Sequence, residues 1–396
     1  MIDDWRSMIE SGAKTTSGIE TILTGKGLDR HDSGWPDRLA AVTAADVERA
    51  LSEPEGHYRL ERLLALVSPA AGSYLEAMAR QAQGLTIQRF GKTMALYAPL
   101  YLSNYCDNRC LYCGFNRDSR AQRRRLTVEE ALAEAKIIHA GGFTDLLLVS
   151  SEDRNHVTVA YLAELAARLR GKFSSISIEI HQLRLDEYRR LLETGIDGVT
   201  LYQETYDRDT YRRYHEAGPK ADYYRRLAAT DDIASAGMRR IGLGALLGLS
   251  DWRIETLALA EHAHVLMKRY WQSHVSFSFP RLRPAHAVDV VQFEQSVSDR
   301  DLVQMILALR LCFADAGLVL STRERAELRD HLVNLGITRI SAGSKTNPGG
   351  YSGGTEAVEQ FEVADDRTAA QVAQMIRSQG IEPVWKDWDA AFSLEV

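Results

Sequence analysis

The chain has 396 residues, of which 45% are hydrophobic, and it carries a formal net charge of −6. This charge supplies none of the basic field on which nucleic-acid binding depends, so nucleic acid is a poor candidate partner. The longest apolar run, 241–249, is too short to span a membrane, and the N-terminus lacks a signal peptide, so we expect a cytoplasmic protein with reduced thiols.

The first ninety residues are predicted to be mostly helical. Residues 1–42 show weak periodicity, and the stretch 25–36 indicates an irregular loop. A helix is expected to start at Thr43, and apolar residues at helical spacing on either side of Pro69 predict two more helices. We therefore assign residues 1–90 to an N-terminal extension.

The middle of the chain alternates between short apolar runs and amphipathic helical stretches. Such alternation predicts an α/β fold, a parallel (β/α)8 barrel of the TIM type, over residues 91–345. In this fold the loops after the strands meet at one mouth, where chemistry is carried out. Strands are predicted at 94–101, 146–150, 175–180, 198–202, 240–244, 274–279, 318–321 and 338–341. Helices between them are predicted at 128–139, 158–170, 221–236, 254–270 and 300–315.

The last residues are predicted to form an extension, 346–396, that packs back on the barrel. A glycine-rich segment, 342–354, follows the last predicted strand and is interpreted as either a linker or a lid. One helix is expected at 368–378, and the apolar run 381–388 indicates a final strand.

Three cysteines follow the first predicted strand, and they are Cys106, Cys110 and Cys113. Their close spacing in a polar loop lets three thiolates hold one inorganic centre and leaves its fourth corner free. A structural zinc site needs a fourth ligand, and no Cys or His occurs in the next twenty-five residues. We favour an iron–sulfur cluster and keep zinc as the alternative. Cys312 lies on the apolar stripe of a predicted helix, so burial is expected for it.

The cysteine spacing resembles the signature of the radical S-adenosylmethionine (SAM) enzymes, in which three thiolates hold a [4Fe-4S] cluster and SAM binds the fourth iron. From about residue 40 to the C-terminus, the chain is similar to the tyrosine lyases of bacterial thiamine biosynthesis. The resemblance implies a barrel of the radical SAM kind, for which a six-stranded open form is the alternative. The stretches that carry it are 97–104, 113–115, 202–206, 278–284 and 385–389.

An activity follows from this resemblance. It implies cleavage of the Cα–Cβ bond of L-tyrosine to 2-iminoacetate and p-cresol, with methionine and 5′-deoxyadenosine as co-products. The implied cofactors are a [4Fe-4S] cluster and SAM, and the implied partners are thiazole synthase and a flavodoxin or ferredoxin-type electron donor. A related lyase that serves the iron-only hydrogenase has a second cysteine cluster near its C-terminus, which this sequence lacks. A lyase for another aromatic amino acid, such as tryptophan, and a zinc-bound scaffold without catalytic activity are the alternatives.

The resemblance also implies residues that hold the cofactor. Tyr112 corresponds to an aromatic position that borders the adenine, although it could equally shield the cluster. Ser151 and Glu152 stand where the superfamily has a Gly-Gly-Glu-like turn that receives the methionine amine. Arg281 and Arg283 either hold the SAM carboxylate or brace their loop.

A further carboxylate is indicated by the residues themselves. Glu179 alternates with apolar neighbours on a predicted strand, and a buried carboxylate needs a partner, so ligand binding is favoured over a purely structural role.

Three more residues are implied to hold the substrate. Arg323 follows the seventh predicted strand, and a guanidinium fork matches a carboxylate with two parallel hydrogen bonds. Its structural alternative is an ion pair with Glu324 or Glu327. Tyr101 and Ser341 match positions that border the substrate amine and carboxylate in related enzymes.

Overall fold

The computed structural model describes residues 18–30, 33–286, 288, 293, 295–353 and 357–387. Within these residues, five α-helices precede the barrel: α1 (Gly18–Lys26), α2 (Trp35–Ala40), α3 (Ala44–Ser52), α4 (Leu60–Val67) and α5 (Leu75–Phe90). The later helices are α6 (Val128–Ala140), α7 (Val159–Leu169), α8 (Leu185–Glu193), α9 (Arg208–Tyr214), α10 (Tyr223–Ser235), α11 (Trp252–Arg269), α12 (Asp299–Cys312), α13 (Ala326–Leu332) and α14 (Ala369–Ser378).

A closed barrel of eight parallel strands forms the centre of the protein. Each barrel strand pairs with the next, and the last strand pairs with the first at Leu96 and Ile340, which closes the ring. The predicted eight-stranded barrel is therefore confirmed, and the six-stranded open form is wrong. The barrel strands are β1 (Thr93–Ser103), β3 (Asp145–Ser150), β4 (Ser175–Glu179), β5 (Ile196–Thr200), β7 (Arg240–Gly244), β8 (His274–Ser278), β9 (Gly317–Leu320) and β10 (Arg339–Ser341). Outside the ring lie β2 (Arg109–Cys110), β6 (His215–Ala217) and β11 (Glu382–Val384).

Local sequence explains the alternation of strands and helices. All six residues of β3 are buried, as expected for a parallel strand that is covered on both faces. Capping boxes at Thr127, Ser298 and Thr368 start α6, α12 and α14, because each side chain satisfies a backbone N–H that the first helical turn leaves free.

The weak periodicity of residues 1–42 is misleading in part. The stretches 18–26 and 35–40 form helices, although an irregular loop was expected across 25–36. Both helices are too short for periodicity to reveal them, and burial in tertiary contacts stabilises them instead. Ile19 and Trp35 are almost fully buried, and the Trp35 indole donates to the Lys26 carbonyl at 3.1 Å.

Charged residues close the bottom of the barrel. Asp145, at the start of β3, accepts hydrogen bonds from Arg240 at 2.9 and 3.1 Å and from Arg339 at 2.6 Å. Burial opposes ionisation of this carboxyl, but the two guanidinium groups outweigh it and lower the pKa of Asp145. The Arg339 guanidinium also lies over the Tyr97 ring at 4.6 Å. This ionic layer leaves the opposite end of the barrel as the open one.

The C-terminal residues pack against the barrel. β11 pairs with β1 in parallel, from Thr93 to Ala95, and Thr144 donates to the Trp385 carbonyl at 2.6 Å. The glycine-rich segment is anchored as well, because the Tyr351 hydroxyl donates to the Pro99 carbonyl at 2.8 Å. Residues 354 and 388, which end the predicted glycine-rich segment and the predicted final strand, lie outside the described residues.

The main core is continuous across the three predicted segments. One cluster of buried apolar side chains runs from Ile19 through the barrel strands to Ile376 of α14. The division at 90/91 and 345/346 therefore stays a proposal, drawn at chain positions and not at gaps in packing. Within the described residues, no helix combines the length and the apolar character that crossing a membrane requires.

Candidate active site

The loop after β1 brings Cys106, Cys110 and Cys113 to the mouth of the barrel. Asn108, in the middle of the loop, is held on both sides. Its Nδ2 donates to Glu152 at 2.6 Å, and its Oδ1 accepts from the Lys220 backbone nitrogen at 2.9 Å. A short antiparallel pairing of β2 with β6 then joins Cys110 to His215. The positions of the cysteines are thus fixed by contacts to neighbouring loops.

Two adjoining cavities lie at the mouth of the barrel, and the cysteines line the first of them. The first, which we call the mouth cavity, has about 1000 Å³ of empty space, part of it open to solvent, and the three cysteines line one wall. The second, the inner cavity, has about 570 Å³ and lies among residues of β1, β8, β9 and β10. Both are within the size range of small-molecule sites or close to it. Residues that line both cavities are Val149, Glu179, Tyr202, Pro280, Arg323, Gln360 and Phe361.

The cysteines fit an iron–sulfur cluster better than a single metal ion. Burial raises the pKa of the Cys106 thiol to about 11 and also raises the pKa of Cys110 and Cys113, so these ligands require a strong cation to become thiolates. Among the described residues, no three His, Cys, Asp or Glu side chains meet closely enough to hold one ion. A cubane takes one thiolate per iron, so its cysteines need not meet at a point. The geometry therefore gives the zinc scaffold no support.

The fourth cysteine is remote from this chemistry. Cys312 ends α12 and is fully buried in the main core, where burial raises the pKa of its thiol to about 12. A buried apolar environment keeps a thiol inert.

Tyr112 is held by a histidine. Its hydroxyl lies 2.8 Å from His215 Nε2, while His215 Nδ1 lies 2.8 Å from the Tyr211 carbonyl oxygen. Because a carbonyl only accepts, Nδ1 carries the proton and Tyr112 donates to Nε2. Burial lowers the pKa of His215 to about 3, which keeps the ring neutral. Tyr112 lines the mouth cavity, as both interpretations of it require.

The serine-containing turn after β3 makes specific contacts. The Ser151 hydroxyl donates to the Tyr105 carbonyl at 2.6 Å, which ties this turn to the cysteine loop. Glu152 accepts from Asn108 and from Arg154, the latter at 2.9 and 2.6 Å. Burial opposes ionisation of Glu152, but these hydrogen bonds lower its pKa. Oε1 already accepts both Arg154 hydrogen bonds, whereas Oε2 accepts only the one from Asn108, so Oε2 can still receive an ammonium.

Glu179, at the end of β4, lies where the two cavities meet. Among the described residues, no hydrogen bond or ion pair is made to its carboxylate. Burial raises the pKa of Glu179 to about 7, with Arg323 acting in the opposite direction. An unpaired carboxylate facing empty space is a group that a ligand hydroxyl or ammonium would satisfy.

Arg323 presents its guanidinium to both cavities. Its Cζ lies 3.4 Å from the centroid of the Phe361 ring, so the aromatic face supports the fork from one side. None of the ion pairs between described residues includes Arg323, whereas Glu324 binds Arg281 and Arg283, and Glu327 lies 3.8 Å from Arg325. The structural alternative for Arg323, an ion pair with either glutamate, is therefore wrong.

Tyr101 and Ser341 both line the inner cavity. The Tyr101 hydroxyl donates to Gln360 Oε1 at 2.7 Å. Ser341, almost fully buried, accepts from the Thr322 backbone nitrogen at 3.1 Å, so it orients the turn that carries Arg323.

The two arginines of the Pro280–Pro284 loop have different positions. Arg281 does not line either cavity, and its guanidinium binds Glu324, Asp299 and a backbone carbonyl. This corrects its assignment as a SAM ligand in favour of bracing the loop. Arg283 does line the mouth cavity, where one nitrogen binds Glu324 at 2.8 Å and its Nε has no partner among the described residues.

Sequence reasoning missed a charged group in the mouth cavity. Glu204 adopts a left-handed conformation, with φ of 72°, and its carboxylate accepts from Lys220 Nζ at 2.5 Å. Such a conformation costs on the order of 1–3 kcal/mol in a residue other than glycine, and residues strained in this way cluster at functional sites. Arg226 lies 3.8 Å away and donates to the Tyr202 carbonyl at 2.7 Å. The 202–206 stretch was a signal for Glu204, whereas nothing local marks Lys220 or Arg226.

Sequence reasoning also missed the pair Gln360 and Phe361. They come from the C-terminal segment, lie beside Tyr101 and Arg323, and line both cavities. No motif pointed to them, because their role depends on a segment that returns to the mouth more than 250 residues after Tyr101.

Known proteins resemble this chain along most of its length. The sequence model of the Radical SAM superfamily matches residues 100–260, and that of the Biotin and Thiamin Synthesis associated domain matches residues 278–382. The chain is 45% identical over 360 residues to the 2-iminoacetate synthases of Escherichia coli strain K12 and of Salmonella typhimurium strain LT2, covering 90% of this chain and 94% of each relative. A crystal structure of HydG, a maturase of the [FeFe]-hydrogenase, superposes with a TM-score of 0.84 at 31% identity, covering 92% of this chain and 83% of HydG.

Proposed function

The chain belongs to the 2-iminoacetate synthase family of radical SAM enzymes, and we propose that its mouth cavity holds SAM while its inner cavity holds L-tyrosine. As a member of this family, the protein is a radical SAM lyase that cleaves the Cα–Cβ bond of tyrosine for thiazole synthesis in the thiamine pathway. The products are 2-iminoacetate and p-cresol, with methionine and 5′-deoxyadenosine as co-products. One observation carries the assignment of the two cavities: they share a wall, and that wall contains an unpaired guanidinium and an unpaired carboxylate.

The cofactor is assigned to the cysteine end of the mouth cavity. Cys106, Cys110 and Cys113 would hold a [4Fe-4S] cluster, with Glu152 placed for the methionine amine and Tyr112 for the adenine. When bound, the cluster and SAM supply the one-electron reduction and hydrogen-atom abstraction that start the reaction. Arg283 replaces Arg281 as the residue for the methionine carboxylate, because only Arg283 reaches this cavity.

The substrate is assigned to the wall that the cavities share. Arg323 would bind the tyrosine carboxylate through its two-pronged fork, with Tyr101 and Ser341 beside the amine and carboxylate. Glu179 faces both ligands and provides an acceptor for a hydroxyl or an ammonium. Holding the amine toward the mouth cavity is the task of these residues, since the reactive atoms must meet within a few ångströms.

Enclosure by the barrel matters for the product as well. An imine hydrolyses in water, so a cavity with a closed bottom protects 2-iminoacetate until it leaves. We propose thiazole synthase as the acceptor of this product and a flavodoxin or ferredoxin-type protein as the source of electrons. The need for three reduced thiols favours a reducing compartment.

Product analysis after anaerobic reconstitution tests this function. The chain is incubated with SAM, dithionite and, separately, tyrosine, tryptophan or phenylalanine, and p-cresol, 5′-deoxyadenosine and bound iron and sulfide are measured. We expect p-cresol from tyrosine only. Cys106→Ala, Cys110→Ala and Cys113→Ala should each abolish it, because two thiolates do not hold the cluster in place, whereas Cys312→Ala should retain it. Bound zinc without sulfide, or a product from tryptophan alone, would contradict the proposal.

A further inference from the structure

A basic surface borders the cysteine loop. Residues 105–125 contain six arginines and two aspartates, although the whole chain carries a net charge of −6. Several of these side chains are exposed or half-exposed together with an exposed tyrosine. We call this surface the arginine face, defined by Tyr105, Arg109, Arg117, Arg120 and Arg125.

Hydrogen bonds hold the arginine face against the cysteine loop. The Arg117 backbone nitrogen donates to the Asn108 carbonyl at 2.9 Å, and Asn108 lies between the first two cysteines. Arg125 lies over the Tyr105 ring at 3.9 Å, and Tyr105 immediately precedes Cys106. Arg123 further ties the segment together by donating to the Phe115 carbonyl at 2.9 Å. The positive charges are therefore placed around the cysteines by fixed contacts.

Nearby acids neutralise this surface only in part. Asp118 is shared between Arg109 at 2.5 Å and Arg117 at 3.7 Å, and Asp153 pairs with Arg125 at 2.6 Å. Arg120 is exposed and makes no ion pair with any described residue. Other exposed arginines among the described residues, such as Arg189 and Arg213, also make no ion pair, so this surface is distinguished by the number of arginines gathered beside the cysteine loop.

We infer that the arginine face is the docking surface for an acidic one-electron carrier protein. The inference rests on the proposed function, because forming p-cresol, methionine and 5′-deoxyadenosine from tyrosine and SAM consumes two electrons and one proton, which must come from outside. At each encounter the carrier would give up one electron and the cluster held by the cysteines would gain it, with no bond made or broken, so two encounters would serve one turnover. Opposite charge steers a weak, transient partner to the correct face, and redox encounters of this kind bury little area. The face lies beside the cysteines, as electron transfer requires.

The double variant Arg117→Glu with Arg120→Glu tests this inference. The full chain with its reconstituted cluster is mixed anaerobically, without SAM or tyrosine, with a chemically reduced flavodoxin of acidic charge, and the bleaching of cluster absorbance is followed. At low salt we expect the rate constant for cluster reduction by flavodoxin to be about tenfold or more lower in the variant than in the parent. At high salt the two rate constants should become equal, because the electrostatic attraction is screened. The control, Lys92→Glu with Lys172→Glu, makes the same change of charge before β1 and β4, at the other end of the barrel, and should behave as the parent.

A second reductant separates the possible failures. Dithionite needs no docking surface, so both variants should be reduced by it within about twofold of the parent rate. Equal flavodoxin rates in the double variant and the parent would overturn the docking surface, while p-cresol formed with dithionite would still support the proposed function. A parent that accepts electrons from flavodoxin but forms no p-cresol would overturn the proposed function alone. If the double variant fails to hold a cluster, the single variant Arg120→Glu is used instead. Its affinity for oxidised flavodoxin is measured by calorimetry and compared with that of the parent, and an unchanged affinity would overturn the inference.

Discussion

Arg323 and Glu179 both face the two cavities, and neither makes an ion pair with any described residue. Burying such groups costs free energy that a hydrogen-bonded ligand recovers. Their opposite charges match the two ends of an amino acid, a carboxylate and an ammonium. At the scale of single residues, this pair is the feature most specific to the proposed substrate.

Arg323→Lys should weaken tyrosine binding by roughly 1–3 kcal/mol, because lysine keeps the charge but loses the fork. Cleavage of SAM need not fall as far, so 5′-deoxyadenosine should exceed p-cresol by a wider margin than in the parent. Both products are quantified at a series of tyrosine concentrations. The matched control is Arg325→Lys, an exposed side chain two residues later. Equal loss of both products, with unchanged apparent affinity, would assign Arg323 to the cofactor or to the fold.

Glu179→Gln should change how the stability of the ligand-free protein depends on pH. The pKa of Glu179 rises from 4.5 to about 7 on folding. Its contribution is therefore fully present below about pH 4.5 and is lost as the pH rises through 7, by roughly 3 kcal/mol at most. Denaturant unfolding at about pH 5 and about pH 8 measures the loss in each protein. The parent should lose more stability between these two values than the variant, and identical losses would show that Glu179 ionises as freely in the folded chain as in the unfolded one.

The C-terminal segment 357–366 is the element that completes the site. Its backbone joins three loops of the mouth, because Gln360, Glu362 and Ala364 donate to the carbonyls of Thr346, Pro284 and Thr322. Each of these hydrogen bonds is 3.0 Å long. Phe361 is thereby fixed over the Arg323 guanidinium. The segment acts as a roof that is attached at several points.

Phe361→Leu should make the position of the Arg323 side chain less well defined while leaving the backbone hydrogen bonds of segment 357–366 in place. Leucine preserves most of the apolar contact but removes the aromatic face, an interaction worth about 0.5–2 kcal/mol. We expect a KM for tyrosine that is several-fold higher and a larger ratio of 5′-deoxyadenosine to p-cresol, with SAM affinity unchanged. Phe361→Tyr retains the ring and should restore parental behaviour. A fall in SAM affinity in both variants would place Phe361 with the cofactor.

At the scale of the whole molecule, the two ends of the barrel have opposite properties. Asp145, Arg240 and Arg339 fill the bottom with paired charges. The mouth contains the cysteines and the two cavities. A parallel barrel carries its chemistry at the carboxyl ends of its strands, so the bottom is free to serve stability.

Asp145→Asn should destabilise the fold without altering the site. Removing this charge leaves two buried guanidinium groups short of their partner, which typically costs about 3–5 kcal/mol. Thermal unfolding of the ligand-free protein measures the change. Asp186→Asn, a change at an exposed carboxylate, should leave the melting temperature nearly unaltered. A stable Asp145 variant with impaired turnover would mean that the ionic layer serves the site instead of the fold.

The sequence alone determined the barrel and its chemistry. β3 appears as an apolar run, whereas β4 and β8 alternate apolar with polar residues, and with both patterns all eight strands could be located within about two residues. The cysteine loop was equally visible, because its three ligands are close together in the chain and their spacing is a property of local sequence. Glu179 was indicated by its alternation with apolar neighbours, and Arg323 by the resemblance together with its position after the seventh predicted strand, at the mouth where all strand ends meet.

Only the tertiary structure decided how charges and distant segments combine. Arg281 and Arg283 are two residues apart and alike in sequence, yet Glu324 and Asp299 hold the first outside the cavity. Gln360 and Phe361 carry no motif, and they reach Tyr101 and Arg323 because the C-terminal segment folds back over the mouth. Ion pairs and roof contacts of this kind depend on distances in space between residues far apart in the chain. Periodicity and spacing report only local geometry, and they contain no such distances.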